Sequence, residues 1–545
     1  MRLESDHSQP VEMSAALESR AWIWADRLAV WFTLVLWSLV RIPVPGVNEP
    51  HYWGKAKHWW NPQWCAGDFF LDSSNPHLFF YATFGSLTCW FPLEQAAIIG
   101  RILGLLILAI GWQHFVQTLL GGRWTGLMTM ILFLCLQTIG NFSGEWLVGG
   151  MESKVPAYGF LFWGLGEWWR GRPVTASAFL GLSICFHPIV GLWGVIALAM
   201  SEVGFRIWGR RAPLPSDGSP VASFTRRQLL ASIAVGALIA LPGLVAGVSA
   251  LQGATAEESR IANQLQVGDR LAHHLDPMRF PKSAYWFAGS LLVIWLLLSK
   301  EIPGTIRQRR WQCFVVATIL IALAGIVLGF GPRPVAQMPG HVWRLALLKF
   351  YPFRLGDLFL PVAFSLAMVQ AARSSSWRFA RPLLRLGVIA AVIGALFIAF
   401  PDENPSRLSP QEYRDWGAAC QWIRDQTPTD SIVYAADNSW GLKWLTHRPE
   451  FVNYKDMPQD AARIVQWNER LWVIARWRIA AVQDGSVSEA ELADLRRQTG
   501  IRYLLASRFG PIDAKPVFER GGFRVYELPE PAATAPESIP PARDP

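Results

Sequence analysis

The first residues able to do chemistry lie just past the opening apolar run, in the stretch 43–81, PVPGVNEPHYWGKAKHWWNPQWCAGDFFLDSSNPHLFFY. Glu49 sits a few residues beyond that run, with His51, Tyr52 and Trp53 beside it. A carboxylate held at the rim of a membrane helix is costly to desolvate, so its presence points to function. The chemistry it suits is removal of a proton from a hydroxyl, with His51 as neighbour or alternative. The aromatic residues between Trp53 and Trp64 suit the headgroup level of a bilayer, where they would anchor the stretch or stack on rings.

Further ionisable residues recur between apolar runs. Glu145, Glu152 and Lys154 lie in NFSGEWLVGGMESKVPAYGF, and His187 precedes Pro188. Arg260, Arg270, His273, His274 and Asp276 lie in EESRIANQLQVGDRLAHHLDP; His341 and Arg344 follow, then Arg354 and Asp357 in KFYPFRLGDLFLP. Arg grips phosphate with a planar fork and Lys acts as a point charge. Lys154, Arg260, Arg344 and Arg354 are therefore candidates for holding a phosphate, Arg354 first because it opens an apolar run. Each residue also has a local alternative. Arg354 and Asp357 are three apart and can pair on one helix face. Glu152 and Lys154 can cap or snorkel at a helix start. His187 suits a kink, while Asp68, Asp72, Glu257 and Glu258 suit solvated loops. His273 and His274 are adjacent and lack the spacing of metal ligands, so no metal site is expected.

What positions these residues is a membrane scaffold. The chain has 545 residues, 52% hydrophobic and only 17% charged, with 29 Trp and 31 Phe. Soluble domains carry nearer a quarter charged residues. Apolar runs begin near Leu28, Gln95, Thr125, Val155, Thr175, Pro188, Leu229, Ala284, Cys313, Tyr351 and Leu386, which predicts about eleven crossings. The net charge of +9 is then a property of short basic loops and not a nucleic-acid signal. The basic stretches 170–172, 206–211, 226–227, 307–310 and 373–385 fall on one side if the run after Thr175 breaks before Pro188. That places the N-terminal tail, 1–27, in the cytoplasm and the polar residues above on the outer face. The expected fold is mainly α: a polytopic helical bundle over 28–401, with external loops 43–81 and 251–283. An extracytoplasmic α/β domain follows over 402–528, then a disordered tail, 529–545. In that domain 411–426, 461–478 and 488–497 read as helices, and SIVYAAD, EFVNY, RYLLAS and FRVYEL as strands. Cys135, Cys185 and Cys313 read as core residues; Cys65 and Cys89 could pair outside the cell. The first apolar run follows a long polar segment and should remain as an anchor.

The many spans, the long first external loop, the acid in NEPHY (48–52) and the external α/β domain together resemble the GT-C class of integral membrane glycosyltransferases. That class includes oligosaccharyltransferase catalytic subunits, protein O-mannosyltransferases and aminoarabinose transferases. The SWGLKWLTHRPEFVNYKDMP stretch, 439–458, is similar to a Trp-rich segment in the soluble domain of oligosaccharyltransferases. The resemblance implies a bacterial inner-membrane enzyme that moves a sugar from a polyprenyl-phosphate donor to an acceptor on the extracytoplasmic face, with Glu49 as base. The class's paired acids are missing here, which leaves a divalent metal cofactor in question. Two other readings stand beside this one. A lipid-linked-glycan transporter would use ionisable residues within spans, as Arg101 is. A catalytically inactive scaffold for polysaccharide assembly would not need the acid pair.

Overall fold

The computed structural model describes residues 8–209, 224–301, 305–373, 381–398 and 402–530. The expectations for the disordered tail and the start of the N-terminal tail lie outside these residues, as do parts of the basic stretches 206–211 and 373–385. The chain divides into two compact units: Met1–Trp53 with Asn75–Glu403 and Asp460–Ala462, and Gly54–Ser74 with Asn404–Gln459 and Arg463–Pro545.

Among the described residues, the first unit is built from eleven apolar helices at the expected places. They are α1 (Ser8–Arg41), α2 (Leu93–Leu119), α3 (Thr125–Ile139), α4 (Lys154–Trp169), α5 (Pro173–Phe186), α6 (Pro188–Gly209), α7 (Arg226–Ser249), α8 (Lys282–Glu301), α9 (Ile306–Gly329), α10 (Arg354–Arg373) and α11 (Arg381–Phe397). Among the described residues, seven helices are long and apolar enough to cross a membrane. The side chains left exposed on them, such as Phe32, Leu238 and Val327, are apolar, as a lipid-facing surface requires. The run after Thr175 does break at His187, whose extended backbone separates α5 from α6. Proline at 188 disfavours helix at the residue before it.

Small residues allow close packing where apolar attraction between helices is weak. A Cβ on Gly111 of α2 would fall 1.9 Å from the carbonyl oxygen of Gly159 on α4. At the opposite end of α2 from Glu94, buried Asp26 of α1 accepts the N–H groups of Gly126 and Leu127, at 3.1 and 3.0 Å. It thereby satisfies orphan donors in the first turn of α3. Thr225 and Thr305 close capping boxes at the starts of α7 and α9.

The second unit is an α/β fold. Strands β1 (Ile432–Ala435), β2 (Ile501–Ala506), β3 (Phe518–Arg520) and β4 (Phe523–Glu527) form a sheet in the order β1-β2-β4-β3. The β1–β2 pair is parallel and the other two pairs are antiparallel. Helices α12 (Pro410–Gln426), α13 (Ala461–Ala480) and α14 (Glu489–Thr499) accompany it. Trp416, Cys420 and Ile423 of α12 pack on Val433, Leu505 and Val525 of the sheet. One expected strand is absent: EFVNY contributes only a single bridge, Glu450 to Val433. Its polar side chains are drawn into a buried cluster, described below. The segment 54–74, expected as part of one external loop, belongs to this unit. Cys65 and Cys89 are both free thiols, so the possible disulfide does not form.

Candidate functional site

Glu49 opens the helix Glu49–Trp60 and is fully buried. Arg101, two turns into α2, grips it side-on, with Nε 2.8 Å from Oε1 and Nη2 2.7 Å from Oε2. The backbone N–H of Met151 donates to Oε1 at 2.7 Å and that of Gly46 to Oε2 at 2.6 Å. Arg101 also donates to the carbonyls of Ile42 and Pro43, at 2.9 and 2.6 Å. Those groups follow the end of α1, where orphan carbonyls and the helix dipole favour a cation. Gly150 closes the knot, since a Cβ there would lie 2.8 Å from the Glu49 carboxyl carbon. This geometry bears on the expectation that Glu49 acts as a base. Its lone pairs are committed to four donors, and taking a proton would break a buried ion pair. It also accounts for Arg101 without a transport role.

Beside this knot the structure gathers residues from several chain segments. Arg354, the first residue of α10, places Nε 3.1 Å from Glu145 Oε2. The phenol of Tyr158, one helical turn after Lys154, donates to Glu145 Oε1 at 3.3 Å. Lys154 lies 3.4 Å from Glu152 and 4.0 Å from Glu145. Glu152 accepts from the Asn48 amide at 2.9 Å. Arg354 Nη1 lies 3.0 Å from His187 Nε2. A guanidinium can only donate, so that nitrogen accepts, while the Val190 N–H points at Nδ1 at 3.4 Å. The rings of His187 and His77 are 4.9 Å apart, and Tyr52 lies 5.2 Å from His77. His77 Nδ1 is 3.1 Å from the Ser153 hydroxyl.

Asp357 does not pair with Arg354, although both lie in the first turn of α10. Its carboxylate accepts the N–H groups of Phe142, Ser143 and Glu145, at 2.5, 2.8 and 2.9 Å. It therefore shapes the turn that presents Glu145 to Arg354. His274 buttresses the same turn, with Nδ1 2.6 Å from the Ser143 carbonyl oxygen. Burial pushes the His274 imidazole down to about 3, so it stays neutral beside these cations. His273 stacks on it at 4.0 Å.

Asp357 also lines a cavity of about 210 Å³ among α8, α9 and α10, and is the one charged residue on its wall among the described residues. Phe142, Tyr285, Leu291, Ile319 and Leu360 make the lining apolar.

Two expected site residues lie elsewhere. Arg260 is exposed and pairs with Glu257 on its own helix turn. Arg344 donates to the carbonyls of Val327, Leu328, Phe330 and Pro339, capping the end of α9. Carbonyl-rich helix ends attract cations, which satisfies this guanidinium without a ligand. His51 packs on Tyr52, with rings 5.5 Å apart. Tyr158 and Asn48 were not singled out by sequence. Tyr158 was legible in principle, being four residues from Lys154 on one helix face. Among the described residues, no group of three or more His, Cys, Asp or Glu is placed to hold a metal ion.

Residues 414–474 match a domain of unknown function, DUF6798. None of the curated proteins matches the chain. Among solved structures, the chain is similar to ArnT from Cupriavidus metallidurans bound to undecaprenyl phosphate. Identity is 12%, over 92% of this chain and 96% of that one, with a TM-score of 0.46. It is also similar to the oligosaccharyltransferase of Archaeoglobus fulgidus in its apo form, at 13% identity over 89% and 69%, TM-score 0.42. The same organism's oligosaccharyltransferase AglB, in complex with an inhibitory peptide and a dolichol-phosphate, gives 12% over 90% and 69%, TM-score 0.38.

Proposed function

We propose that the chain is a GT-C-type membrane glycosyltransferase that moves a sugar from a polyprenyl-phosphate donor to an acceptor hydroxyl on the extracytoplasmic face of a bacterial inner membrane. The observation that carries this reading is the buried cluster of Arg354, Lys154, Glu145 and Glu152, whose shaping residue Asp357 also borders an apolar cavity. An amphipathic donor needs these features together: cations for a phosphate, a carboxylate for a proton, and apolar walls for a prenyl chain. The sidedness rests on α4, which begins at Lys154 and ends just before the basic stretch 170–172. Basic loops favour the cytoplasm, so the Lys154 end faces outward.

In this reaction the acceptor oxygen attacks the anomeric carbon and the bond from that carbon to the phosphate oxygen breaks. The electron pair stays with the phosphate, whose charge Arg354 and Lys154 stabilise. The acceptor proton passes to a carboxylate. Since Glu49 is sealed by Arg101, we assign that step to Glu152, whose side-chain partners among the described residues are the Asn48 amide and Lys154. Glu49 becomes a positioning residue that fixes Met151, the neighbour of Glu152. His187 orients the Arg354 guanidinium and His274 supports the Glu145 turn. The sealed Glu49–Arg101 pair also favours a second reading, a non-catalytic scaffold for polysaccharide assembly.

The test is turnover of a panel of polyprenyl-phosphate sugars by purified protein, comparing wild type with Glu152→Gln and Arg354→Gln. Glu152→Gln should bind donor and lose on the order of 10²–10⁴-fold in kcat, while Arg354→Gln should lose donor binding. Full activity of Glu152→Gln refutes the base assignment. Failure of the wild type to bind any donor moves the scaffold reading ahead.

A further inference from the structure

The SWGLKWLTHRPEFVNYKDMP stretch, 439–458, lies within the matched domain of unknown function and has no part in the cluster described above. Its polar residues are buried inside the second unit. Lys443, on the short helix Leu442–Thr446, is 6% exposed. Its ammonium lies 2.8 Å from Asp456, 2.9 Å from Glu450 and 3.4 Å from Asp68. Asp68 comes from the segment Gly54–Ser74, far away in sequence but part of the same compact unit. It accepts the Glu450 N–H at 2.9 Å and the N–H groups of Phe70 and Leu71 at 3.0 and 2.9 Å. One side chain thus fastens the segment to the matched domain while ordering the segment's own turn.

Charge does not balance in this cluster. One ammonium faces three carboxylates, and like charges crowded in a dry site cannot all ionise cheaply. Asp68 has three backbone donors, and Asp456 accepts from Asn453 at 2.9 Å besides Lys443. Glu450 is the least provided. Its Oε2 accepts from Lys443 and Asn453, at 2.9 and 2.6 Å, but its buried Oε1 has no hydrogen-bond partner among the described residues. From the other elements Glu450 faces Cys420 of α12 and Tyr434 of β1. Burial raises both groups, so both are neutral near pH 7. Arg478 of α13 is engaged by the Tyr434 hydroxyl at 3.1 Å. Arg470 of α13 acts on Asp68 and donates to the Phe451 carbonyl at 3.0 Å, so among the described residues Lys443 is the one cation that acts on Glu450 itself.

We propose that Asp68, Lys443, Glu450 and Asp456 form a proton-dependent latch that holds residues 54–74 on the C-terminal α/β domain. With a proton on Glu450 the latch carries one net negative charge. Without it the charge is two, and the segment detaches more readily. Burial pushes the Glu450 carboxyl up from 4.5 to about 7, outweighing the pull of Lys443. A carboxyl raised in the closed state stabilises that state fully below its free value of 4.5. The stabilisation is lost as pH rises through about 7. The fastened segment is flanked in sequence by Tyr52 and His77.

The measurement is hydrogen exchange of the 54–74 peptide in the full-length protein in detergent micelles, from pH 5 to pH 9, corrected for intrinsic exchange. Protection in wild type should fall by on the order of 100-fold between pH 5 and pH 9. Glu450→Gln should stay protected across the range. Asp456→Asn removes a repelling charge that helps to raise the Glu450 carboxyl, and should shift the wild-type fall to lower pH and shrink it. Flat protection in wild type overturns the proposal, as does an unchanged pH profile in Glu450→Gln. A fall spread equally over the β2 and β4 peptides also overturns it, because that marks global unfolding.

Discussion

Replacing Glu49 by Gln separates the two roles that a buried carboxylate can have. In the structure the change removes one formal charge from a pair in which Arg101 is 1% exposed. It leaves a guanidinium without its counter-ion and turns one acceptor oxygen into a donor facing an N–H. Breaking a buried ion pair from one side costs about 3–5 kcal/mol, and an orphaned backbone N–H adds about 1–3 kcal/mol. Arg101 retains the carbonyls of Ile42 and Pro43, which offset part of this, so a net loss of about 3–5 kcal/mol is expected. The assay is denaturant unfolding of the purified protein in micelles, with donor turnover expressed per folded molecule. Glu49→Gln should lower the unfolding midpoint while the folded fraction keeps most of its activity. In a double-mutant cycle with Arg101→Met, the two losses should be non-additive by about 3 kcal/mol. A Glu49→Gln protein of wild-type stability but without turnover would refute the reasoning and restore Glu49 as the base.

Other perturbations follow from the same geometry. Gly111→Leu should abolish folding of the membrane unit, because even a Cβ would lie 1.9 Å from the Gly159 carbonyl; expression with a fluorescent folding reporter reads this. Asp357→Ala orphans three N–H groups at 142–145 and should lower both stability and donor turnover. Asp357→Asn, which keeps one acceptor oxygen, should recover part of both in the same two assays. His447 adopts a left-handed backbone with φ 53°, and burial pushes its imidazole from 6.5 to about 4. A histidine lowered in the folded state stabilises fully above its free value of 6.5, and that contribution is lost as pH falls through about 4. His447→Asn, tolerated by such a backbone, should flatten the fall in melting temperature of the second unit between pH 6.5 and 4.

The helices of the membrane unit were legible because lipid imposes a local rule: each span must be apolar over its own length. The break at His187-Pro188 was legible for the same reason, being set by two adjacent residues. Partnerships between charges were not. Arg354 and Asp357 invite pairing by their spacing, yet each reaches the turn 142–145 more than two hundred residues earlier in the chain. Glu49 shows the sharpest difference. Its place past α1 located the site region, but nothing local said that Arg101 would saturate it.

EFVNY does not form its expected strand and the segment 54–74 joins the second unit, and one cause serves both. The apolar and β-branched character of EFVNY suggests a strand, and the aromatic composition of 54–74 suggests a membrane-surface loop. Both rules assume that the polar residues in these stretches face solvent. Lys443 breaks that assumption by drawing Glu450 and Asp456 from one stretch and Asp68 from the other into a single buried cluster. A strand at 450–454 would alternate its side chains across the sheet. It could not then place Glu450 and Asn453, three residues apart, on the same face, yet the two bond at 2.6 Å. Lys443→Met should therefore do more than remove a salt bridge. With the carboxylates left mutually repelling, the 54–74 peptide should lose protection in hydrogen exchange before the β1–β2 core does. Equal loss in both would mean that Lys443 supports the fold as a whole rather than the attachment of this segment.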